Sequence, residues 1–283
     1  MAYAIWGFVP AYWKTLSGLP VDELTAWRAL WAAGLGLLLI AVTRGGRALR
    51  AAASEPRLMA PIALSGVLIA INWLVFIHAV DTDRVSHTSL GYYVNPLVSV
   101  ALGFFVLGER LRPGQWLAVA VAAGGVVWWT IALGGLPWIA AALAISFGLY
   151  GLVRKLVPVS ALAGFALEMC ALAPLAAAYL ATRPTLALGD ADAARHAWLA
   201  VSGVVTAAPL VCFAGAARRL PLAVLGLFQY IAPSLALGLA VFAYDEPFTR
   251  DHALSFGCVA LALAILTVDS FAAARGTRVA AAS

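Results

Sequence analysis

The sequence predicts an all-α membrane protein of ten transmembrane helices, arranged as two inverted five-helix repeats, residues 1–134 and 135–283, with both termini in the cytoplasm. Three observations support this prediction. Of the 283 residues, 64% are hydrophobic and only 11% are charged, far from the balance of soluble domains. The apolar residues fall into about ten segments long enough to cross a hydrocarbon core roughly 30 Å thick. Short motifs also recur between the two halves of the chain.

The predicted spans are joined by short connections, so we expect no extramembrane domain. Their approximate limits are residues 2–17, 22–43, 58–80, 85–107, 113–132, 136–153, 158–180, 197–217, 220–243 and 249–270. The first segment starts beside Met1 without a basic leader, and we expect it to be retained as a helix rather than cleaved as a signal peptide. The function must therefore lie among the helices.

Basic residues divide unevenly between the two sets of alternate connections. Twelve lie in one set: Arg44, Arg47, Arg50, Arg57, Arg110, Arg112, Arg154, Lys155, Arg218, Arg219, Arg275 and Arg278. Four lie in the other: Arg84, Arg183, Arg195 and Arg250. The positive-inside rule places the richer set, and both termini, in the cytoplasm. Because these arginines are dispersed among loops, the net charge of +5 indicates topology rather than nucleic-acid binding.

Proline and glutamate recur at one spacing in the two halves. Pro96 precedes Glu109 by 13 residues, and Pro233 precedes Glu246 by the same number. Apolar helices can share such motifs by chance, but here the spacing, the helix count and the charge pattern agree. Five spans is an odd number, so the second half enters the bilayer from the opposite side. Inverted repeats of this kind are typical of secondary transporters.

Two charged residues lie well inside predicted spans, where charge is costly and indicates function. Arg28 is in the second span and Glu168 in the seventh, 140 residues apart and so at equivalent points of the repeats. We expect them to line the substrate cavity and to form an ion pair. The alternatives are that the pair only holds the halves together, or that Arg28 extends toward the membrane surface. If alternating access breaks the pair, Glu168 is the candidate proton-coupling residue.

Uncharged polar and aromatic side chains at similar depth complete the predicted site. The further candidate substrate-binding residues are Trp6, Asn72, Tyr92, Asn95, Tyr150, Gln229 and Tyr230. Amides in hydrocarbon need partners, so Asn72 and Gln229 bind either substrate or a neighbouring helix. Pro96 and Pro233 are candidate gating residues, because each frees a backbone carbonyl in mid-span. The alternative is that both prolines are static kinks that improve packing.

Cofactor and metal chemistry find no support in the sequence. All three cysteines lie in apolar spans, and the histidines are too isolated to ligate a metal. The spans contain no paired carboxylates and no nucleophile beside a base. We therefore expect no cofactor, no metal and no catalytic residue.

Four stretches together resemble one transporter family. They are NWLVFIHAV at 72–80, SLGYYVNPLVSVALGFFVLGERL at 89–111, SFGLYGLVRK at 146–155 and GLFQYIAPSLA at 226–236. The combination is similar to the RarD-type, EamA-domain branch of the drug/metabolite transporter superfamily. The resemblance implies a ten-helix permease of the bacterial inner membrane with a central cavity between two inverted halves. One departure is YDE at the end of the ninth span, where the family more often has YGE.

The predicted function is a secondary-active permease that moves a small organic metabolite or drug by alternating access, in the direction of export. The same fold leaves two alternatives open, a facilitator and a lipid-headgroup translocator. A membrane-embedded enzyme or a purely structural protein fits the mid-span polar residues less well. The expected partners are a small-molecule substrate and the lipid bilayer, without nucleic acid, for a chain acting as a monomer.

Overall fold

The computed structural model describes residues 1–16, 18–82, 84–187, 192–244 and 250–282. Within these ranges the chain forms helices and no strand. The helices are α1 (Ala2–Lys14), α2 (Val21–Val42), α3 (Gly46–Ala53), α4 (Pro56–Asp81), α5 (Val85–Phe105), α6 (Pro113–Ala132), α7 (Trp138–Leu156), α8 (Ala161–Ala181), α9 (Ala193–Ala217), α10 (Leu222–Phe228), α11 (Ile231–Tyr244) and α12 (Arg250–Ala282).

Eight helical segments in the described part of the chain are long and apolar enough to cross a membrane. They are α2, α4, α6, α7, α8, α9, the stretch formed by α10 and α11, and the first part of α12. With 13 residues, α1 is too short to qualify. The α5 helix has the length, but tyrosine, asparagine and serine in its middle lower its mean hydropathy. A multi-pass, all-α membrane protein is confirmed.

Three features of the helices differ from the prediction: a break in the ninth span, a longer last helix and an additional short helix. The ninth span is two helices, because the chain turns at Gln229 and Tyr230, just before Pro233. In contrast, α5 runs without interruption through Pro96. The last helix extends to Ala282 instead of ending near residue 270, and the short α3 was not predicted. Glu246, half of the proline and glutamate motif, lies outside the described residues.

The helices pack mainly between the two halves of the chain. The α2 helix packs on α8, α5 on α10, and α6 on α12. The other contacts between helices come in pairs, one contact of each pair involving the corresponding helices of the other half. For example, α5 packs on α7, and α11 packs on α1. In the same way, α4 packs on α7 as α9 packs on α1, and α2 packs on α9 as α8 packs on α4. A single bundle therefore forms from interleaved halves rather than from two separate domains.

The connections gather at two ends of the bundle. The Arg-rich end carries the connections 43–55, 106–112, 157–160 and 218–221; a guanidinium nitrogen of Arg218 donates to the Val159 carbonyl there, at 2.8 Å. The opposite end carries the connections 15–20, 133–137 and 182–187. Its contacts include the ion pair of Asp22 with Arg183. Each functional side chain can be placed by its distance from one of these ends.

Candidate functional site

A buried ion pair joins α7 and α8. A terminal guanidinium nitrogen of Arg154 lies 3.2 Å from a carboxylate oxygen of Glu168, and the two side chains are 1% and 0% exposed. Ser65 on α4 donates a hydrogen bond to the same carboxylate, and the Tyr150 hydroxyl approaches its other oxygen at 3.5 Å. Desolvating two charges is costly unless both are paired and hydrogen-bonded, and here Glu168 has three partners. The pair therefore fastens three helices of both halves together.

Gly164 makes room for this pair. A Cβ atom at Gly164 would lie 2.1 Å from a guanidinium nitrogen of Arg154. On a helix, residues 164 and 168 share one face, so the guanidinium crosses Gly164 to reach Glu168 one turn further along α8. Arg154 also donates to the Ala161 carbonyl at 3.2 Å.

The predicted pair of Arg28 with Glu168 is wrong. The guanidinium of Arg28 instead lies 3.8 Å from the ring centroid of Trp73 and 5.5 Å from that of Trp13. The reason is depth. Arg28 is seven residues from the start of α2 (21 to 28), and Glu168 is seven from the start of α8 (161 to 168). Since α2 starts at the opposite end and α8 at the Arg-rich end, each residue lies about 10 Å from a different end.

Three helices contribute aromatic side chains around Arg28. Trp13 and Tyr12 come from α1, Trp73 from α4 and Tyr92 from α5. The hydroxyls of Tyr12 and Tyr92 are close enough to interact with the guanidinium electrostatically. Tyr92 is nevertheless 41% exposed. We call Arg28, Tyr12, Trp13, Trp73 and Tyr92 the Arg28 cage.

A polar seam runs along the contact of α5 with α10. The Gln229 amide nitrogen lies 3.4 Å from the Ser99 hydroxyl, and the Tyr230 hydroxyl donates to the Tyr93 carbonyl at 3.1 Å. The side-chain oxygens of Asn95 and Gln229 are buried and have no hydrogen-bond partner among the described residues. Buried amide oxygens without partners are costly, and they leave acceptors free for a solute.

The predicted residue Asn72 bonds another helix. Its amide nitrogen donates to the Leu143 carbonyl and the Ser146 hydroxyl of α7, each at 3.0 Å. Of the two roles predicted for this amide, the structure shows helix-to-helix bonding in this conformation. The residue fixes α4 against α7, next to the segment that carries Tyr150.

Trp6 and Tyr150 belong to an aromatic cluster near the Arg154–Glu168 pair. The Trp6 ring lies 5.5 Å from Phe147 and 5.9 Å from Phe213, measured between centroids. Tyr150 stacks on Phe213 at 5.9 Å with an interplanar angle of 19°. Offset stacking of this kind packs the core of α1, α7 and α9. Trp6 and Tyr150 thus lie on the far side of the bundle's middle from the Arg28 cage.

The two candidate gating prolines flank the close approach of α5 and α10. A Cβ atom at Gly226 would lie 2.9 Å from the Pro96 carbonyl oxygen and 2.7 Å from Ser99 Cβ. Pro233 follows the turn at Gln229 and Tyr230 by three residues. Only the α10–α11 segment is broken in this structure, so gating by the prolines stays a prediction.

At the Arg-rich end, Glu109 binds the first turn of α10. Its two carboxylate oxygens accept hydrogen bonds from the backbone N–H groups of Leu222 and Ala223, at 2.6 and 2.8 Å. Lys155 lies 3.5 Å from the same carboxylate and donates to the Leu220 carbonyl at 2.6 Å. A carboxylate at a helix N-terminus is favoured by the exposed N–H groups and the helix dipole. We call Glu109, Lys155 and the α10 N-terminus the Arg-rich latch.

Sequence reasoning missed Arg154, Ser65 and the latch. Arg154 was counted as a loop cation, yet it is buried within α7. The sequence signal for Arg154 is its position four residues after Tyr150. Residues four apart share one helical face, so Arg154 faces the same interior as Tyr150. No comparable signal marks Ser65 or Glu109, since their partners are 103 and 113 residues away along the chain.

Comparisons with known proteins agree with this architecture. The EamA-like transporter family matches residues 1–131. Protein RarD of Escherichia coli is 42% identical over 98% of this chain and 94% of its own. An uncharacterised transporter of Pseudomonas aeruginosa is 42% identical over 97% and 93%, and the chloramphenicol-sensitive protein RarD of that species is 32% identical over 93% and 89%. A crystal structure at 21% identity superposes with a TM-score of 0.71 over 94% of this chain and 95% of its own, which shows the fold.

The relatives cover nearly the whole chain at well over 30% identity, so the similarity is not confined to one motif. Their names and the family description indicate a membrane transporter rather than an enzyme. The chain belongs to the EamA-like transporter family, among its RarD-type members.

Proposed function

We propose that this protein is a secondary-active permease of the bacterial inner membrane that moves a small organic solute by alternating access. In this proposal ten membrane helices form two inverted halves, residues 1–134 and 135–283. The Arg-rich end and both termini face the cytoplasm, as the positive-inside rule requires. The observation that carries the proposal is a difference between the ends: buried polar atoms of Arg28 without hydrogen-bond partners lie nearer the opposite end, and Glu109 bonds the two halves together at the Arg-rich latch.

Helix packing supports the inverted repeat. If α1, α2, α4, α5 and α6 correspond in order to α7, α8, α9, α10–α11 and α12, exchanging the two sets reproduces the packing pairs described above. The pairs α2 with α8, α5 with α10, and α6 with α12 map onto themselves. This pattern is expected of a two-fold axis in the membrane plane, which relates two halves that can rock against each other.

In this proposal the structure represents the outward-facing conformation, with the halves bonded to each other at the Arg-rich latch. The cage lies nearer the opposite end, because Arg28 is about 10 Å from the start of α2. At the Arg-rich end, Glu109 in the connection after α5 fastens α10, and Lys155 bonds the connection before it. Alternating access then consists of releasing the latch while the cage closes. Export would load solute in the reverse state, with the latch released.

Glu168 stays the candidate proton-coupling residue, with Arg154 in place of Arg28 as its partner. The carboxylate has Arg154, Ser65 and Tyr150 around it, from three helices. A movement of α4 against α8 would separate Ser65 from Glu168. Loss of this hydrogen bond would change the proton affinity of the carboxylate. Coupling requires that the proton affinity of this group differ between the two conformations.

Reconstitution into proteoliposomes tests the proposal. A panel of radiolabelled amino acids, aromatic acids and antibiotics should include at least one solute that shows protein-dependent counterflow, with accumulation driven by an imposed pH gradient. The double variant Arg154→Gln with Glu168→Gln removes both charges together and should keep counterflow while losing gradient-driven accumulation. Gradient-independent exchange in wild type would identify a facilitator. Movement of fluorescent phospholipid without any solute counterflow would identify a lipid translocator and refute the permease.

Thiol labelling tests the proposed orientation. Single cysteines at Arg47 and Arg218 should be shielded from an impermeant maleimide in intact cells, whereas cysteines at Asp192 and Asp251 should react. A third outer position, Asp83, lies outside the described residues. Labelling of Arg47→Cys from outside would refute the placement of the Arg-rich end in the cytoplasm.

A further inference from the structure

The interior charges do not balance. Arg154 and Glu168 neutralise each other, but none of the four ion pairs among the described residues includes Arg28. The Arg28 guanidinium keeps its charge at any physiological pH. An unneutralised cation inside a membrane bundle is costly, and its ring contacts with Trp73 and Trp13 offset only part of that cost. Among the described residues, Arg28 is therefore an interior positive charge without an ion-pair partner.

The unsatisfied atoms of Arg28 point to the shape of that anion. Its Nε and Nη2 atoms are buried and have no hydrogen-bond partner among the described residues. These two N–H groups lie on one edge of the planar guanidinium, the edge that binds both oxygens of a carboxylate in parallel. Neither atom reaches water in this conformation, so the side chain must turn on its flexible stem, or a ring must move, before the edge can bind.

The surroundings add a second requirement on the ligand. The guanidinium contacts the indole rings of Trp73 and Trp13, and Tyr92, which is 41% exposed, lies near it. Flat aromatic walls favour a planar or aromatic solute, which stacks in offset or edge-on geometry. A carboxylate would engage the guanidinium while the rest of the solute lies against the rings.

We infer that the transported solute is an organic anion, a planar or aromatic monocarboxylate, and that Arg28 binds its carboxylate. This inference rests on the proposed permease function and names the substrate class of the same site. Binding brings a negative charge to the unneutralised guanidinium, so the loaded cage is close to neutral when the two halves change conformation. A free cage keeps its charge, and this favours movement with solute bound.

Three probes that share one ring test the inference: phenylacetate, its neutral amide phenylacetamide, and the cation 2-phenylethylammonium. Purified protein is titrated with each, and the midpoint of thermal unfolding and the tryptophan fluorescence are followed. Ligands that bind the folded state raise the midpoint, and movement of Arg28 away from Trp73 changes indole emission. We expect phenylacetate to give a saturable response and to bind at least about tenfold tighter than either other probe.

Variants assign that response to one side chain. Arg28→Gln should weaken phenylacetate binding by about tenfold or more while leaving the unfolding midpoint without ligand unchanged or higher, because it removes an unpaired buried charge. Arg28→Lys should fall between, since lysine keeps the charge but lacks the two-donor edge. Arg195→Gln is the matched control, because Arg195 is an exposed arginine in the first turn of α9, and this variant should bind phenylacetate as wild type does.

The outcomes separate this inference from the proposed function. Equal responses to the three probes, or no response to any of them, overturn the anion site even if proteoliposomes transport other solutes. A phenylacetate response that survives in Arg28→Gln also overturns it. A carboxylate-specific response lost in Arg28→Gln, together with no counterflow of any solute, would support the anion site and refute the permease.

Discussion

Breaking the buried ion pair of Arg154 and Glu168 should be among the most destabilising single changes in this bundle. Glu168→Gln keeps the side-chain shape and the Ser65 contact but leaves the Arg154 guanidinium charged and 1% exposed. At 3.2 Å and an effective dielectric constant of about 20, Coulomb's law gives roughly 5 kcal/mol for the lost attraction. Removing one partner of a buried pair costs about 3–5 kcal/mol in proteins, which agrees.

The assay is reversible unfolding of purified protein in mixed micelles, followed by circular dichroism as the denaturing detergent fraction rises. Asp22→Asn is the matched control, because it breaks the ion pair of Asp22 with Arg183, whose side chains are 36% and 44% exposed. Exposed pairs contribute about 0–1 kcal/mol. The double variant Arg154→Gln with Glu168→Gln should recover most of the loss. If Glu168→Gln unfolds like Asp22→Asn, the buried contact is not ionic and this reasoning fails.

Three further changes have defined outcomes. Gly164→Ala should lower the free energy of unfolding by about 2 kcal/mol or more, because its methyl group overlaps the Arg154 guanidinium, whereas Gly34→Ala, with no neighbour within 4 Å, should raise it by up to about 1 kcal/mol. The same unfolding assay measures both, and equal effects would contradict the packing at Gly164. Pro96→Ala and Pro233→Ala should each fold normally but slow counterflow in proteoliposomes. Wild-type counterflow rates in both would mean that the prolines only improve packing.

Composition and charge alone predict much of this fold. An apolar run of about 20 residues must become a helix in lipid, because hydrocarbon offers no partner to backbone N–H and C=O groups. Boundaries such as that of α6, Pro113–Ala132, therefore match the prediction. The extra turns of α12 and the amphipathic α3 lie outside such runs, so the apolar runs do not predict them.

The site was harder to predict because depth and partner choice depend on the fold. Arg28 and Glu168 were correctly singled out as interior charges, but an inverted relation puts equivalent residues at equal distances from opposite ends. They can meet only if both are near the middle. Glu168 finds Arg154 instead because Gly164 leaves a path across α8, a detail of packing that spacing alone does not contain. The role of Glu109 likewise depends on α10, which is folded from residues far along the chain.

The central claim is that the two ends open in alternation, and two distances in spin-labelled protein test it most directly. One label pair, Arg57→Cys with Leu220→Cys, reports on the Arg-rich end, and the other, Thr82→Cys with Thr182→Cys, reports on the opposite end. Glu109→Ala removes two charge-assisted hydrogen bonds from the latch, enough to shift a two-state equilibrium by tenfold or more. We expect this change to lengthen the first distance and shorten the second. Two unchanged distances, or two that move in the same direction, would contradict alternating access.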